Sequence, residues 1–368
     1  VDNKIKVLVV DDSALMRSLI SKMIESQEDM TVVGTAMNGI FALQKIEALK
    51  PDIMILDIEM PEMNGIEFLR ERGKRGIKVP VIILSSIAEK GAAVTFEALS
   101  LGASDFITKP GGSISHNITD VTTHLTSLIR VYTGRKEKYP KEEAKATPSA
   151  ATQAPVSAPF AKHVSGGIRE VPVTHPASVK IEVIVLGIST GGPNALRVFL
   201  SEFKADFKVP ILIVQHMPEG FTAEFTKSLK KTCALDVKEA EDNDIIAPGR
   251  VLVAPGNKHM KIERKRLGNV VTINSDPLVN GHRPAAGVLF NSAVEIYGSK
   301  TMGVIMTGMG RDGSAEIGNI LNAGGYTIAQ DEKSSIVFGM PRVAIELGYI
   351  NKILPLNDMA RYITTYIS

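Results

Sequence analysis

The sequence predicts an α/β protein built from two doubly wound domains, and three observations carry that prediction. Short, nearly continuous apolar runs recur along both halves, among them Val7 to Val10, Ile53 to Leu56, Val81 to Leu84 and Val183 to Leu186. They alternate with helix-period segments, the pattern of strands covered on both faces of a parallel sheet. The length, 368 residues, suffices for two cores. Finally, one stretch departs from the rest: Gly134 to Ser178 starts as a Lys/Glu-rich run, turns Ala/Pro/Ser/Thr-rich and holds six of the 19 prolines. Such a composition buries too little apolar surface to offset its ordering and reads as an extended linker. The expected division is therefore residues 1–133, a linker over 134–178, and residues 179–368.

In the first segment, strands are expected at Lys6 to Val10, Thr31 to Ala36, Asp52 to Leu56, Val81 to Ser85 and Asp105 to Thr108. Each is followed by a helical pattern: Ala14 to Glu25, Ile40 to Ala48, Gly65 to Glu71, Ala92 to Leu101 and Val121 to Tyr132. Five such units predict a five-stranded parallel sheet with its site at the carboxyl ends of the strands. In the last segment, Ile181 to Leu186, Ile211 to Gln215, Val251 to Ala254, Val270 to Asn274, Thr301 to Thr307 and Tyr326 to Gln330 read as strands. Helical patterns cover Asn194 to Phe203, Phe221 to Lys231 and Ser314 to Ala323, and Leu267-Gly268-Asn269 marks a hairpin. A mainly parallel sheet with some antiparallel strands follows.

Composition narrows the function. Forty-two basic residues face 40 acidic ones, and the three segments carry net charges of −3, +3 and +2. That balance argues against a protein that coats nucleic acid. A single cysteine, Cys233, rules out internal disulfides and multi-thiolate zinc sites. No apolar run approaches the roughly 18–20 residues that span a bilayer, and the first residues carry no secretory signal pattern. The expected compartment is the cytoplasm, without membrane insertion.

Carboxylates gather at strand ends of the first segment. Asp11 and Asp12 end the first strand and Asp57 the third; Ser85 ends the fourth, and Lys109 follows the fifth. Clustered carboxylates need a divalent cation or raised pKa values, and Mg²⁺ suits one or two carboxylates with waters and a phosphate. The motifs Val-Val-Asp-Asp-Ser, Leu-Asp-Ile-Glu-Met-Pro-Glu-Met-Asn-Gly, Ile-Leu-Ser-Ser and Phe-Ile-Thr-Lys-Pro resemble the receiver domain of two-component response regulators over about residues 4–130. The resemblance implies that Asp57 accepts a phosphoryl group from a histidine kinase. It further implies Mg²⁺ held by Asp12, Asp57 and the Glu59 backbone carbonyl with Asp11 in support, Ser85 and Phe106 as a switch pair, and a cis Lys109–Pro110 bond.

Gly187-Ile188-Ser189-Thr190-Gly191 fits G-x-S-x-G between a strand and a helix, a nucleophile elbow whose Thr190 and Gly191 N–H groups, at a helix N-terminus, suit a developing oxyanion. On its own the pentapeptide also fits a phosphate-binding turn or a plain tight turn. His216 ends a second apolar strand and Asp312 follows a third, so Ser, His and Asp converge on one crevice. A serine nucleophile needs such a base, and the base needs an orienting carboxylate. The order Ser, His, Asp disfavours the α/β-hydrolase fold. His259 and His282 lie in loops that could line the cleft, although a surface or structural role is the simpler expectation. Gly-Ile-Ser-Thr-Gly-Gly, Gln-His-Met-Pro-Glu-Gly-Phe-Thr, Ala-Pro-Gly-Asn-Lys-His-Met, His-Arg-Pro, Met-Thr-Gly-Met-Gly-Arg-Asp-Gly and Phe-Gly-Met-Pro together resemble the catalytic domain of the chemotaxis protein-glutamate methylesterases. That resemblance implies cofactor-free hydrolysis of glutamyl γ-methyl esters on chemoreceptors, often with glutamine deamidation, for adaptation in chemotaxis. It assigns Ser189 as nucleophile, His216 as base, Asp312 as orienting group, and Thr190 and Met309 as oxyanion donors. Two rival readings remain at this level: a response regulator whose second domain only binds a partner, and a serine hydrolase acting on small esters.

Overall fold

The computed structural model describes residues 4–86, 89–109, 118–135 and 180–367. The expected linker from residue 136 onward and the Lys109–Pro110 bond lie outside the described residues.

Five parallel strands, β1 (Ile5–Val10), β2 (Met30–Ala36), β3 (Ile53–Asp57), β4 (Val81–Ser85) and β5 (Asp105–Thr108), form the first sheet in the order 2-1-3-4-5. Between and after them run α1 (Ala14–Glu25), α2 (Gly39–Leu49), α3 (Gly65–Lys74), α4 (Glu89–Ser100) and α5 (Ile118–Tyr132). Local chemistry starts the helices: the Ser13 hydroxyl accepts from the Met16 N–H, and Asn64 with Glu67 closes a reciprocal capping box. Strand alternation divides the apolar residues between two faces. Val7, Val9, Ile53 and Ile55 pack with Ile20, Ile24, Leu125 and Leu128. Leu8, Val10, Met54 and Leu56 pack with Leu43, Ile46, Phe68 and Leu69 on the other side.

The second sheet has seven strands, all paired in parallel: β6 (Val183–Ile188), β7 (Ile211–Gln215), β8 (Asp236–Glu239), β9 (Arg250–Val253), β12 (Thr301–Ile305), β13 (Tyr326–Gln330) and β14 (Lys352–Leu354). Their order is 14-13-12-6-7-9-8. The expected hairpin is a separate antiparallel pair, β10 (His259–Lys265) with β11 (Gly268–Asn274). The helices are α6 (Gly192–Ser201), α7 (Phe221–Lys230), α8 (Ala286–Tyr297), α9 (Ile317–Asn322), α10 (Met340–Glu346) and α11 (Leu356–Ile367).

Two elements are shorter than expected. β12 stops at Ile305, because Thr307 leaves the ladder: its N–H donates to Gln330 Oε1 and its hydroxyl to the Thr190 carbonyl. α9 starts at Ile317, after a turn in which Gly313 has φ +74°. β8 and β14 escape the sequence reading because they are short edge strands, β8 burying only Val237 fully.

The halves meet where β5 and α4 pack on α6 and α7. Phe106 stacks on Phe221 with ring centroids 5.1 Å apart, and Phe96 on Phe225 at 5.3 Å. The Asp105 carboxylate accepts from the Gly191 N–H at 3.2 Å, and Asn194 Nδ2 donates to the Ser104 carbonyl at 3.2 Å. Among the described residues no helix is long and apolar enough to cross a membrane.

Candidate functional site

β6, β7 and β12 are neighbours in the second sheet, and the sheet's order reverses between β6 and β12. Ser189 follows β6, His216 follows β7 and Asp312 lies in the loop after β12, so all three stand at the carboxyl ends around this switch point. The turn after β6 is tight. Gly191 has φ +75°, and a Cβ on Gly192 would lie 1.9 Å from Gln215 Oε1. A Cβ on Gly308 would lie 2.9 Å from that of Ser189, so the loop after β12 passes directly against the serine.

His216 Nε2 lies 2.8 Å from Asp312 Oδ2. A carboxylate oxygen only accepts, so Nε2 carries the proton and the ring's lone pair sits on Nδ1. That atom is buried and has no hydrogen-bond partner among the described residues. The serine is held close by backbone: the His216 N–H donates to the Ile188 carbonyl, and Gln215 Nε2 donates at 3.0 Å to the carbonyls of both Ser189 and His216. Thus the structure joins His216 to Asp312 directly, and ties Ser189 to them through its neighbours rather than through a hydroxyl–imidazole hydrogen bond.

Asp312 is fully buried. Burial pushes its carboxyl up, but the His216 bond, the Ala286 N–H at 2.6 Å and Asn280 Nδ2 at 3.4 Å outweigh it, and the group titrates below its ordinary value. Ala286 is the first residue of α8, whose amino end favours negative charge. Thr190 is buried beside Ser189, and Met309 follows Gly308. Their amides have no protein acceptor among the described residues, whereas the Gly191 N–H is occupied by Asp105 of the first half.

The sequence reading gave no role to Gln215, Asn280 or the start of α8; Gln215 stands in the Gln-His-Met-Pro motif, which does not show that its side-chain amide bridges main-chain carbonyls. His282 departs from its expected peripheral role: its ring stacks on His216 with centroids 4.0 Å apart and planes 13° apart. His259 is structural; it is fully buried, and its Nδ1 accepts from the Ala285 N–H.

In the first half, Asp11, Asp12 and Asp57 each place a carboxylate oxygen within 4.8 Å of the others, at the β1/β3 switch point. Lys109 Nζ lies 2.7 Å from Asp57 Oδ2 and 3.2 Å from Asp11 Oδ2. Both oxygens are buried and outside hydrogen-bond geometry with the ammonium, so the pairs are ionic contacts rather than directed bonds. Burial pushes the Asp57 carboxyl up; Lys109 and the Ile58 N–H oppose the shift, Asp11 adds to it, and the net shift is upward. Asp57, Glu59, Ser85 and Lys109 line one cavity of about 20 Å³, room for about one water-sized group. This donor set fits a hard divalent cation, because it offers oxygens with little other coordination. The Ser85 hydroxyl is turned to Thr95 Oγ1 at 2.6 Å. Phe106, its expected switch partner, faces the second half through Phe221.

Comparison with known proteins covers both halves. The model of the CheB methylesterase family matches residues 184–363, and that of the response regulator receiver domain matches residues 7–116. A protein-glutamate methylesterase/protein-glutamine glutaminase of Treponema denticola is 47% identical over 369 residues, covering 98% of each chain. One from Treponema pallidum is 44% identical, covering 99% of this chain and 97% of the other. The crystal structure of the Thermotoga maritima CheB methylesterase catalytic domain is similar with a TM-score of 0.50 at 38% identity, covering 51% of this chain and 99% of that one. Identity of this extent along both halves decides the family: the chain belongs to the CheB family of protein-glutamate methylesterases/protein-glutamine glutaminases, with an amino-terminal response regulator receiver domain.

Proposed function

We propose that this protein hydrolyses glutamyl γ-methyl esters on methyl-accepting chemoreceptors, and deamidates receptor glutamines, under control of its receiver. The observation that carries the reading is the buried His216–Asp312 pair beside the elbow that holds Ser189. Ser189 Oγ attacks the ester carbonyl while His216 Nδ1 takes its proton. The developing oxyanion is met by the Thr190 and Met309 N–H groups, a contribution worth about 3–4 kcal/mol per donor in comparable sites. His216 then protonates the leaving oxygen, methanol departs, and a water activated by the same nitrogen hydrolyses the glutamyl-enzyme. With a glutamine, ammonia leaves instead. Asp312 stays ionised throughout, fixing the tautomer and stabilising the imidazolium. Chemistry at Ser189 calls for no cofactor.

The proposed division is a receiver over residues 1–133, a linker over 134–178 and the catalytic domain over 179–368, in a cytoplasmic protein. In the receiver, Asp57 takes a phosphoryl group from a chemotaxis histidine kinase. Asp12, Asp57 and the Glu59 carbonyl would hold Mg²⁺, with Asp11 in support. When bound, the ion neutralises charge on the phosphoryl oxygens. Lys109 contacts the same oxygens as a point charge. Ser85 and Phe106 answer phosphorylation, and Phe106 carries the change to Phe221 at the start of α7, five residues after His216.

Methanol release from methylated receptor in membranes tests the hydrolytic reading. Wild type releases methanol and Ser189→Ala does not; a Ser189→Ala protein with near-normal turnover removes the acyl-enzyme. Release from receptor but not from a small glutamyl methyl ester separates the receptor enzyme from a general esterase.

A further inference from the structure

One turn touches both members of the proposed base pair. Val279 and His282 exchange two backbone hydrogen bonds, of 2.9 and 3.1 Å, across Asn280 and Gly281. Both central residues have positive φ, +52° and +77°, the geometry of a type I′ turn with its preferred Asn-Gly pair. Such a turn has little freedom, so its side chains are presented from a fixed base. Asn280 Nδ2 reaches Asp312 Oδ1 at 3.4 Å. His282 lays its ring on His216 at 4.0 Å. The His282 ring is itself oriented: its Nδ1 lies 2.7 Å from the Asn280 carbonyl, which can only accept, so Nδ1–H donates.

His216 needs such support. A histidine's outer torsion has a broad energy well, and one bond from Nε2 to Asp312 leaves the ring free to pivot about that bond. Among the described residues nothing hydrogen-bonds Nδ1 on the other edge. The ring face must therefore be held by packing, and His282 supplies a parallel surface at contact distance.

We propose that the Asn280-Gly281-His282 turn is a clamp on the base pair, and that His282 is a positioning residue that fixes the His216 ring plane so that Nδ1 meets Ser189. The proposal rests on the serine–histidine–aspartate reading above. His282 takes no proton from substrate in this account. Burial and the neighbouring His216 both disfavour a charge on it, against weaker opposition from Asp312 and the Asn280 carbonyl. The positive charge that develops in the reaction thus stays on His216, between the Asp312 carboxylate and a neutral ring face.

The test compares His282→Ala and His282→Phe in the full-length protein, with thermal unfolding to confirm folding. His282→Ala should lower kcat about 10- to 100-fold, the scale of a misplaced catalytic group, and leave KM within about twofold, because the ring is held rather than the substrate. His282→Phe keeps a flat partner and should recover kcat to within about threefold of wild type. Ring ¹⁵N and ¹H resonances of His216, read without substrate, should be sharp in wild type and His282→Phe and exchange-broadened in His282→Ala, where the ring pivots about its bond to Asp312. A folded His282→Ala protein with wild-type kcat, or with His216 ring resonances as sharp as in wild type, overturns the proposal. So does a loss as deep as that of His216→Ala, which would make His282 a proton-transfer group. Ser189→Ala is run alongside: turnover by that variant would defeat the esterase reading itself, while the ring-resonance measurement would still judge the clamp.

Discussion

Asp57 and Asp312 are two buried carboxylates at equivalent places in the two halves, each at the switch point of a doubly wound sheet and each beside one cation-forming side chain. The pairing distances are nearly equal, 2.7 Å to Lys109 and 2.8 Å to His216. Yet their acidities move in opposite directions, up for Asp57 and down for Asp312. Burial raises both, so it does not decide. Coordination does. Asp312 also accepts from Ala286 and Asn280, whereas Asp57 has the Ile58 N–H and a second carboxylate, Asp11, as its neighbour. N–H groups meet both oxygens of Asp312, whereas among the described residues Asp57 Oδ1 has the Ile58 N–H and Oδ2 has only the Lys109 ammonium. On the proposed function, the same scaffold supports a site that is written on and a site that acts.

The largest expected effect breaks the acting site. Ser189→Ala and His216→Ala should each lower kcat on the order of 10⁴-fold, and the double variant little more, since triad members work as a unit. Asp312→Asn should cost roughly 10- to 100-fold less than His216→Ala. Methanol release on one methylated receptor preparation ranks the variants. Additive losses in the double variant would contradict a shared step.

The written-on site comes next. Asp57→Asn should abolish Mg²⁺-dependent phosphate uptake from a small phosphodonor, and with it a stimulation of about 5- to 150-fold, the usual range of coupling between sites. Labelling that survives this substitution would move the phospho-acceptor elsewhere.

A smaller effect probes the contact between them. Phe106→Ala removes one aromatic stack, worth about 0.5–1.5 kcal/mol beyond area burial, so basal methanol release should rise about two- to tenfold if docking restrains the catalytic half. Equal basal rates would mean that the receiver tethers rather than restrains.

The smallest effect is a pH slope. Burial pushes the Asp105 carboxyl from 3.8 to about 6, against its bonds from Phe106, Tyr132 and Gly191. If docking supplies the burial that raises it, Asp105 favours the docked state fully below about pH 4 and loses that contribution as pH climbs through about 6, while the Gly191 bond acts in the opposite sense. Basal release by the full chain, divided by that of residues 180–368 alone, should therefore rise between pH 5 and 7. Asp105→Asn keeps an acceptor for Gly191 and should flatten the slope; an unchanged slope would place the titrating group elsewhere.

Much of this was legible in the sequence because it is carried by side chains at strand ends. Asp11, Asp57, Ser189, His216 and Asp312 announce themselves by type and by position after apolar runs, and the parallel sheets follow from those runs. What stayed hidden works through main chain or through distant packing. The amino end of α8 on Asp312 and the Gly191 N–H on the receiver carboxylate leave no motif, because any residue but proline supplies a backbone amide; Gln215 stands in the Gln-His-Met-Pro motif, which does not reveal that its Nε2 bridges two carbonyls. The stack of His282 on His216 joins residues 66 positions apart, and periodicity carries no information about such a meeting. Edge strands β8 and β14 were missed because so few of their residues are buried.

The central claim, that one half is written on and the other acts in response, is tested most directly by methanol release from methylated receptor with and without phosphodonor and Mg²⁺, using wild type, Asp57→Asn and Ser189→Ala. The account predicts stimulation in wild type, an unstimulated basal rate in Asp57→Asn, and no release in Ser189→Ala under either condition. Phosphodonor stimulation of the Asp57→Asn protein equal to that of wild type, or release by Ser189→Ala, would contradict it.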